Sequence, residues 1–221
     1  MKRFILWVVL ALVTVTGHGQ AHSFVYLGAG MTGSVTTLKG LNDVIDRYNE
    51  TRQGQTGAAT LSTEMGHFSS QSGYEFALGR VFDDGGWFVD IHFSILESGT
   101  FAEGVTLDGQ PARRELDLVT HSLSLGVGAS LIQNRHVEAG VGGAWNFSRV
   151  RVNSRLDDSP EEMVFEDPVP IALTPFAQAT LFLSRKIPLA LFGRAFLELP
   201  VLATDYSELN EKINPATYKN D

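Results

Sequence analysis

Residues 87–98 alternate between a face that is apolar from Trp87 to Ile95 and a mixed face. Trp87, Ile91 and Ile95 belong to the apolar face, whereas Asp90 and His92 belong to the other. Successive side chains of a β-strand point to opposite faces, so the segment predicts a strand with one apolar side. Similar alternation recurs in six further segments: residues 24–33, 74–82, 122–131, 137–149, 175–184 and 189–199. The sequence therefore predicts an all-β fold with seven identifiable strands.

Three tight turns test these strands, because residues that face each other across a hairpin must lie on the same side of the sheet. The turns fall at residues 83–86, 134–136 and 185–187. They predict these pairs, each with both members on one face: Leu78 with Ile91, Glu75 with Ser94, Leu125 with Trp145, Leu131 with Ala139, Leu181 with Leu191 and Gln178 with Arg194. The three hairpins are mutually consistent and predict antiparallel pairing.

Long connections alternate with the tight turns. They cover residues 34–72, residues 99–111 and residues 153–174. Regular alternation of short and long connections, with about ten residues per strand and an apolar face on each, is typical of bacterial outer-membrane barrels. On this pattern the chain resembles the OmpA/OmpX-like small outer-membrane β-barrel proteins of Gram-negative bacteria. The resemblance implies an antiparallel up-and-down transmembrane barrel of eight strands, apolar outside and polar inside, with long external loops.

The first residues have the three-part pattern of a secretory signal peptide. Lys2 and Arg3 precede an apolar run at residues 4–15, and the small residues Gly19 and Ala21 follow it. The run is too short for a membrane-spanning helix, which needs about 20 residues. We therefore expect residues 1–21 to be removed before His22, leaving residues 22–221 as one outer-membrane barrel domain.

Charge and composition exclude several kinds of partner and site. The chain has 17 Lys and Arg against 25 Asp and Glu. Loss of Lys2 and Arg3 leaves 15 basic residues and a formal net charge of −10, which argues against nucleic acid as a partner. With no cysteine, the chain has neither disulfides nor thiolate metal sites. We predict no cofactor and no metal.

Seven strands are one fewer than the resemblance implies, and the chain ends without the terminal aromatic residue usual in such proteins. Two explanations remain open: the closing C-terminal strand is missing beyond Asp221, or an unrecognised strand lies between Thr60 and Ser70. Within the first long connection, Leu38, Leu41 and Ile45 recur at helical spacing. They predict a short amphipathic helix at residues 38–50.

Ionisable and amide side chains lie on the faces predicted to point inward. They are Glu75, Asp90, His92, Glu138, Gln178, Arg194 and Glu198. The interior of an eight-stranded barrel is just wide enough for side chains to fill it. We therefore interpret these residues as a structural network of ion pairs and hydrogen bonds. The alternative is a gated pore lined by the same residues.

Two further groups of residues have weaker chemical signals. Arg149, Arg151 and Arg155 share one face at a predicted external strand end, where guanidinium groups could contact lipopolysaccharide phosphates. Ordinary ion pairs at a solvated strand end explain them equally well. Ser94 and Ser122, each with a nearby histidine, suggest a lipid hydrolase, but they are predicted to face the interior rather than the lipid. The residues predict no catalytic site.

We therefore expect a non-enzymatic protein of the cell outer membrane, with a structural or interaction role carried by its external loops. Its expected partners are outer-membrane lipid, lipopolysaccharide and an unknown external or envelope protein. The alternatives are a small channel and, with less support, a lipid-active barrel hydrolase.

Overall fold

The computed structural model describes residues 6–16, 24–35, 38–52, 60–82, 86–106, 109–134, 136–168, 170–183, 189–202 and 204–214, with the backbone alone for residues 6–16. The strands are β1 Leu6–Thr16, β2 Phe24–Val35, β3 Thr60–Thr63, β4 Ser70–Val81, β5 Trp87–Val105, β6 Pro111–Gln133, β7 Val137–Leu156, β8 Glu162–Asp167, β9 Ile171–Phe182, β10 Leu189–Phe196 and β11 Leu199–Leu202. The helices are α1 Lys39–Arg52 and α2 Ser207–Ile213.

Eight strands form a ring in which each strand pairs antiparallel with two others. The order is β1–β2–β4–β5–β6–β7–β9–β10, and β10 pairs with β1 to close the ring. The predicted all-β, up-and-down antiparallel barrel is confirmed, and all seven predicted strands are present. The remaining strands β3, β8 and β11 pair with β5, β7 and β9 outside this ring.

The eighth place in the ring is taken by β1, a segment that the sequence assigned to the signal peptide. Its backbone pairs with β2 on one side and β10 on the other. A run of apolar and β-branched residues suits both the core of a signal peptide and a strand, which is why the sequence alone gave no strand here. Residues 1–5 and 17–23, which include the predicted cleavage position, lie outside the described residues.

Of the two sequence-based explanations, an unrecognised strand between Thr60 and Ser70 does not supply the eighth strand of the ring. A short strand does lie after Thr60, but this strand, β3, pairs with β5 and is not part of the ring. The C-terminal residues 215–221 lie outside the described part of the chain.

The predicted hairpin registers agree with the structure at all but one pair. Leu78 faces Ile91, Leu125 faces Trp145, and Gln178 faces Arg194, as expected; Glu75–Ser94 and Leu181–Leu191 also hold. The predicted pair of Leu131 with Ala139 is wrong. A bulge after Ser130 moves Ile132 opposite Ala139, because the extra residue on one strand shifts the register.

The predicted long connection at residues 99–111 is also wrong. β5 continues to Val105 and β6 begins at Pro111, so only residues 106–110 connect them. The ends of β5, β6 and β7 (residues 97–105, 111–119 and 150–156) are flanked by β3 and β8. We call these strand ends, together with β3, β8, α1 and α2, the cap.

The cap contains the helices. α1 runs from Lys39 to Arg52, which confirms the predicted helix, whereas α2 was not predicted. Their apolar faces bury a core against the inner faces of the strand ends, here called the cap core: Leu41, Val44, Ile45, Tyr48, Met65, Phe68, Ala102, Leu116, Leu118, Val150, Val152, Phe165, Leu209 and Ile213. Arg52 ties the helices together by donating to the Ile213 carbonyl at 3.1 Å and to Asn214 Oδ1 at 3.2 Å.

Candidate functional site

The interior of the ring contains a cross-lumen ion pair. Arg194 on β10 donates a hydrogen bond to Asp90 Oδ2 on β5, and its guanidinium also donates to Gln178 Oε1 at 2.6 Å. Tyr26 on β2 donates to the same Asp90 oxygen at 3.3 Å. All four residues are at most 4% exposed. Because a buried charge is costly unless it is paired and hydrogen-bonded, these contacts fix the positions of four strands relative to one another.

His92 joins this ion pair to a second carboxylate. Its Nδ1 forms a short hydrogen bond with Glu75 Oε1 on the neighbouring strand β4, and its Nε2 lies 3.6 Å from Asp90 Oδ2. Both the His92 and Glu75 side chains are 5% exposed. A continuous network therefore runs from Glu75 through His92, Asp90 and Arg194 to Gln178.

Glu138 forms a separate site nearer the short turns. Its carboxylate accepts hydrogen bonds from Ser130 Oγ at 2.6 Å and from Thr180 Oγ1 at 3.3 Å, and the residue is 1% exposed. Around it lies an apolar and aromatic cluster formed by Tyr26, Ala77, Val81, Phe88, Ala144, Phe176, Ala190 and Phe192. Among the described residues, this half of the lumen is filled by packed side chains.

Glu198 lies at the other end of the lumen, at the break between β10 and β11. It accepts a hydrogen bond from Asn146 Nδ2 at 2.9 Å. Below this pair is a cavity of about 30 Å³ lined by network residues and by Ser94, Ser122 and Ser124. Above it is a larger cavity of about 380 Å³ that reaches the first turn of α1. The Asn146–Glu198 pair thus lies between the two cavities.

The small cavity is surrounded by polar groups with unused hydrogen-bonding capacity. Buried atoms with no hydrogen-bond partner within the described structure include His92 Nε2, Asn146 Oδ1, Thr174 Oγ1 and Arg194 Nε, and their residues line this cavity. About 30 Å³ is enough room for an ordered water, which typically makes about three hydrogen bonds. The site therefore suits water. Within the described residues, no three His, Asp or Glu side chains form a group that could hold a metal ion.

All seven residues of the predicted interior network face the lumen or its upper cavity, and six of them are fully buried. The sequence missed their partners Tyr26, Asn146, Ser130 and Thr180. Inward-facing glycines were one sequence signal that could have pointed to such partners. A Cβ on Gly126 would lie 2.2 Å from Asp90 Oδ1, and one on Gly79 would lie 2.3 Å from the Tyr26 ring. A glycine on a polar face thus marks a large side chain opposite.

The serines considered for lipid hydrolysis also line the lumen. Ser94 and Ser122 border the small cavity, and Ser122 Oγ lies 3.1 Å from Ser148 Oγ. The nitrogens of His92 approach Glu75 and Asp90 rather than a serine hydroxyl. The described geometry contains no serine–histidine hydrogen bond at this position.

The three arginines considered for lipopolysaccharide contact lie on the outer surface of β7, at its cap end. Arg149 and Arg151 both donate to Glu166 Oε1, at 2.6 Å and 2.5 Å, and Arg155 bonds Glu115. Arg149, and then Arg151, hold the pKa of the Glu166 carboxyl down to about 2. The sequence missed both carboxylate partners, because Glu166 reaches β7 only after the chain folds back through residues 157–161.

The outer surface of the ring is apolar. We call the following outward-facing residues, which are between 37% and 65% exposed, the apolar band: Leu27, Met31, Tyr74, Phe76, Leu78, Trp87, Val89, Ile91, Phe93, Leu123, Leu125, Val127, Val141, Trp145, Phe147, Leu173, Leu181 and Leu191. Soluble monomers rarely expose contiguous apolar patches above a few hundred Å². So many exposed apolar residues on one surface are therefore unusual for a protein surrounded by water alone.

No helix among the described residues has the length and apolar character needed to cross a membrane. No protein-family model matches the chain, and no curated protein matches it.

Proposed function

We propose that the protein is an outer-membrane β-barrel with a structural or interaction role, in which a filled lumen supports an external cap. The observation that carries the proposal is an inversion of polarity along β5, β6 and β7. Below the cross-strand row Ile95–His121–Arg149, these strands are apolar outside and carry the buried charged and amide side chains inside. Above the row they are charged outside and apolar inside.

The dimensions of the apolar band suit an outer membrane. On β6 the outward-facing apolar residues run from Leu123 to Leu131, or eight steps along the strand. At about 3.3 Å per residue and a tilt of roughly 40°, this spans about 20 Å along the barrel axis. The apolar belt of outer-membrane barrels is about 25 Å tall. The row at His121 then marks the external edge of the hydrocarbon, and the cap lies outside it.

The filled lumen supports a role for the cap rather than transport. Arg194 and Asp90 cross the interior, and Phe88, Phe176 and Phe192 pack beneath them. We expect the folded protein to give no steady conductance in planar bilayers. A steady, ion-selective conductance from wild-type protein would contradict this part of the proposal.

A small channel is the second candidate, and the cavities on both sides of Asn146–Glu198 favour it. On this alternative the pair is a gate. Replacing Glu198 with Gln would then change the cation selectivity of a conductance already present in the wild type, whereas the filled-lumen proposal expects no conductance from either protein.

Arg149, Arg151 and Arg155 lie just above the proposed hydrocarbon edge, where lipopolysaccharide phosphates would lie. Each guanidinium already bonds a carboxylate, so a phosphate must share or displace that partner. Replacing all three with Gln should reduce the acceleration of folding by lipopolysaccharide-containing vesicles. An unchanged acceleration would remove this contact from the proposal.

Export through a cleaved signal peptide is a separate proposal, and it competes with the closed ring because the cleaved segment contains β1. A mature chain cannot both lose residues 1–21 and retain β1, so the intact mass of protein isolated from membranes distinguishes the two. A mass for residues 22–221 supports cleavage and leaves β2 and β10 without the strand between them. A full-length mass means that β1 stays in the ring.

A further inference from the structure

The larger cavity, which we call the junction cavity, lies where the lumen meets the cap. Its volume of about 380 Å³ is within the range of small-molecule sites, roughly 300–1,000 Å³. The apolar and aromatic residues Val150, Ala172 and Tyr206 contribute to its walls. The rim includes exposed Lys39 and Leu202, so the cavity opens between β11 and the first turn of α1.

Most polar groups in the cavity wall already have partners. Gln71 Nε2 donates to Thr120 Oγ1 at 3.1 Å, and the Ser122 and Ser148 hydroxyls lie 3.1 Å apart. These polar groups on the strand side of the cavity therefore already have hydrogen-bond partners.

Glu198 is the exception. It is the one acidic residue among the described residues that line the cavity, and its described hydrogen bond comes from a neutral amide, Asn146. The one basic lining residue in that part of the chain, Lys39, is exposed at the rim. A partly buried carboxylate beside apolar walls favours an opposite charge, because its own hydration has been lost.

We propose that the junction cavity binds a small organic cation, an amine attached to an apolar body, with its ammonium group at Glu198. The apolar walls bury the body, and the Tyr206 ring adds an aromatic face of the kind that attracts cations. A carboxylate ligand is disfavoured because it would face Glu198. This site goes beyond the proposed role of the cap and depends on neither its partner nor its location.

The test uses full-length protein folded in dodecyl maltoside micelles and 4-fluorophenethylamine as the probe, observed by ¹⁹F NMR. Empty micelles give the background from partitioning. We expect saturable binding that weakens at least about tenfold in Glu198→Gln, the loss of roughly one charge pair. The control Glu162→Gln removes an exposed acid on β8 and should bind like wild type.

One neutral and one anionic analogue separate the contribution of the ligand's charge from that of its shape. 4-Fluorophenethyl alcohol should bind wild type and Glu198→Gln equally, and 4-fluorophenylacetate should not compete with the amine. Equal affinity of the amine for wild type and Glu198→Gln, competition by the acetate, or absence of saturable binding would each overturn the proposal.

A second variant keeps the test decisive if Glu198→Gln does not fold. Ala172→Phe enlarges a buried, inward-facing side chain that lines the cavity but keeps the carboxylate, so it should weaken the amine and the alcohol together. Undiminished binding of both probes to folded Ala172→Phe would place them elsewhere and overturn the assignment.

Discussion

The lumen and the cap are built from the same three strands, β5, β6 and β7, yet their inner and outer faces are opposite in character. Inside the ring, Asp90 and Glu138 are buried while Leu125 and Trp145 are exposed. Inside the cap, Leu116 and Val152 are buried while arginines and glutamates cover the outer face. Alternation along a strand specifies two faces, and the surrounding solvent determines which face points inward.

The two interiors are also stabilised differently. The cap core is aliphatic and aromatic, so the hydrophobic effect stabilises it. The contribution to folding free energy is about 25 cal/mol per Å² of buried apolar surface. The lumen network depends on geometry instead, because each buried charge requires its partner. The lumen should therefore tolerate paired replacements better than single ones, whereas the cap should respond to lost volume.

The largest expected effect is in the lumen. Arg194→Met removes the described cation bonded to Asp90 and should lower the free energy of unfolding by about 3–5 kcal/mol, since it leaves a buried carboxylate unpaired. Urea titration of the protein in detergent measures it. The double variant with Asp90→Asn should recover part of the loss, and a single variant within about 1 kcal/mol of wild type would contradict the network's role.

A smaller, local effect is expected in the cap. Ile45→Ala empties part of the cap core, where Ile45 is 1% exposed, and large-to-small changes of this kind cost about 2–5 kcal/mol. Limited proteolysis should cut the cap faster while the ring stays resistant. Asp43→Ala on the exposed face of α1 is the matched control, and equal cleavage rates would mean that the helices are not packed as described.

The outer face provides the most direct contrast between the two regions. Leu125→Arg puts a charge in the middle of the apolar band and should cost about 2–4 kcal/mol of folding free energy in bilayers. Met163→Arg, on exposed β8, should stay within about 0.5 kcal/mol. Folding equilibria in phospholipid vesicles measure both, and equal costs would remove the distinction between band and cap.

The smallest effect is expected at Glu166, on the outer face of the cap. Because Arg149 and Arg151 lower its folded-state pKa to about 2, the ion pairs stabilise the cap above the ordinary carboxyl pKa of 4.5. This contribution is lost as pH falls from 4.5 through 2. A ¹³C NMR titration of the side-chain carboxyl should show a midpoint near 2, and Arg149→Gln should raise it. A wild-type midpoint near 4.5 would show that the pairs do not form.

Much of the ring could be predicted from the sequence because its alternation pairs apolar residues with polar ones over long stretches. Seven strands, the tight turns and the inward position of Glu75, Asp90 and Arg194 all follow from that periodicity. The bulge at Leu131 could not be predicted, because one inserted residue leaves no marker in a run of apolar side chains.

The cap was harder to predict because its strands continue those of the ring, but their apolar residues move from the outer face to the inner face. The predicted strands end near Ser98 and Arg149, where the apolar residues change sides, although alternation itself continues to Val105 and Leu156. The helix α2 is only seven residues long and carries two buried apolar residues, too few to show a helical period. The carboxylate partners of the arginines depend on chain reversals that local patterns do not encode.

The central claim is that the apolar band lies in hydrocarbon and the cap outside it. Trp145 lies mid-band, opposite Leu125, whereas Met163 lies on the cap. The decisive measurement compares quenching by lipids brominated deep in their acyl chains for two single-tryptophan proteins: Trp145 alone, and Met163→Trp alone, with the other tryptophans replaced by Phe. We expect strong quenching of Trp145 and little quenching of the tryptophan in Met163→Trp. Equal quenching of the two, or an unquenched Trp145, would contradict it.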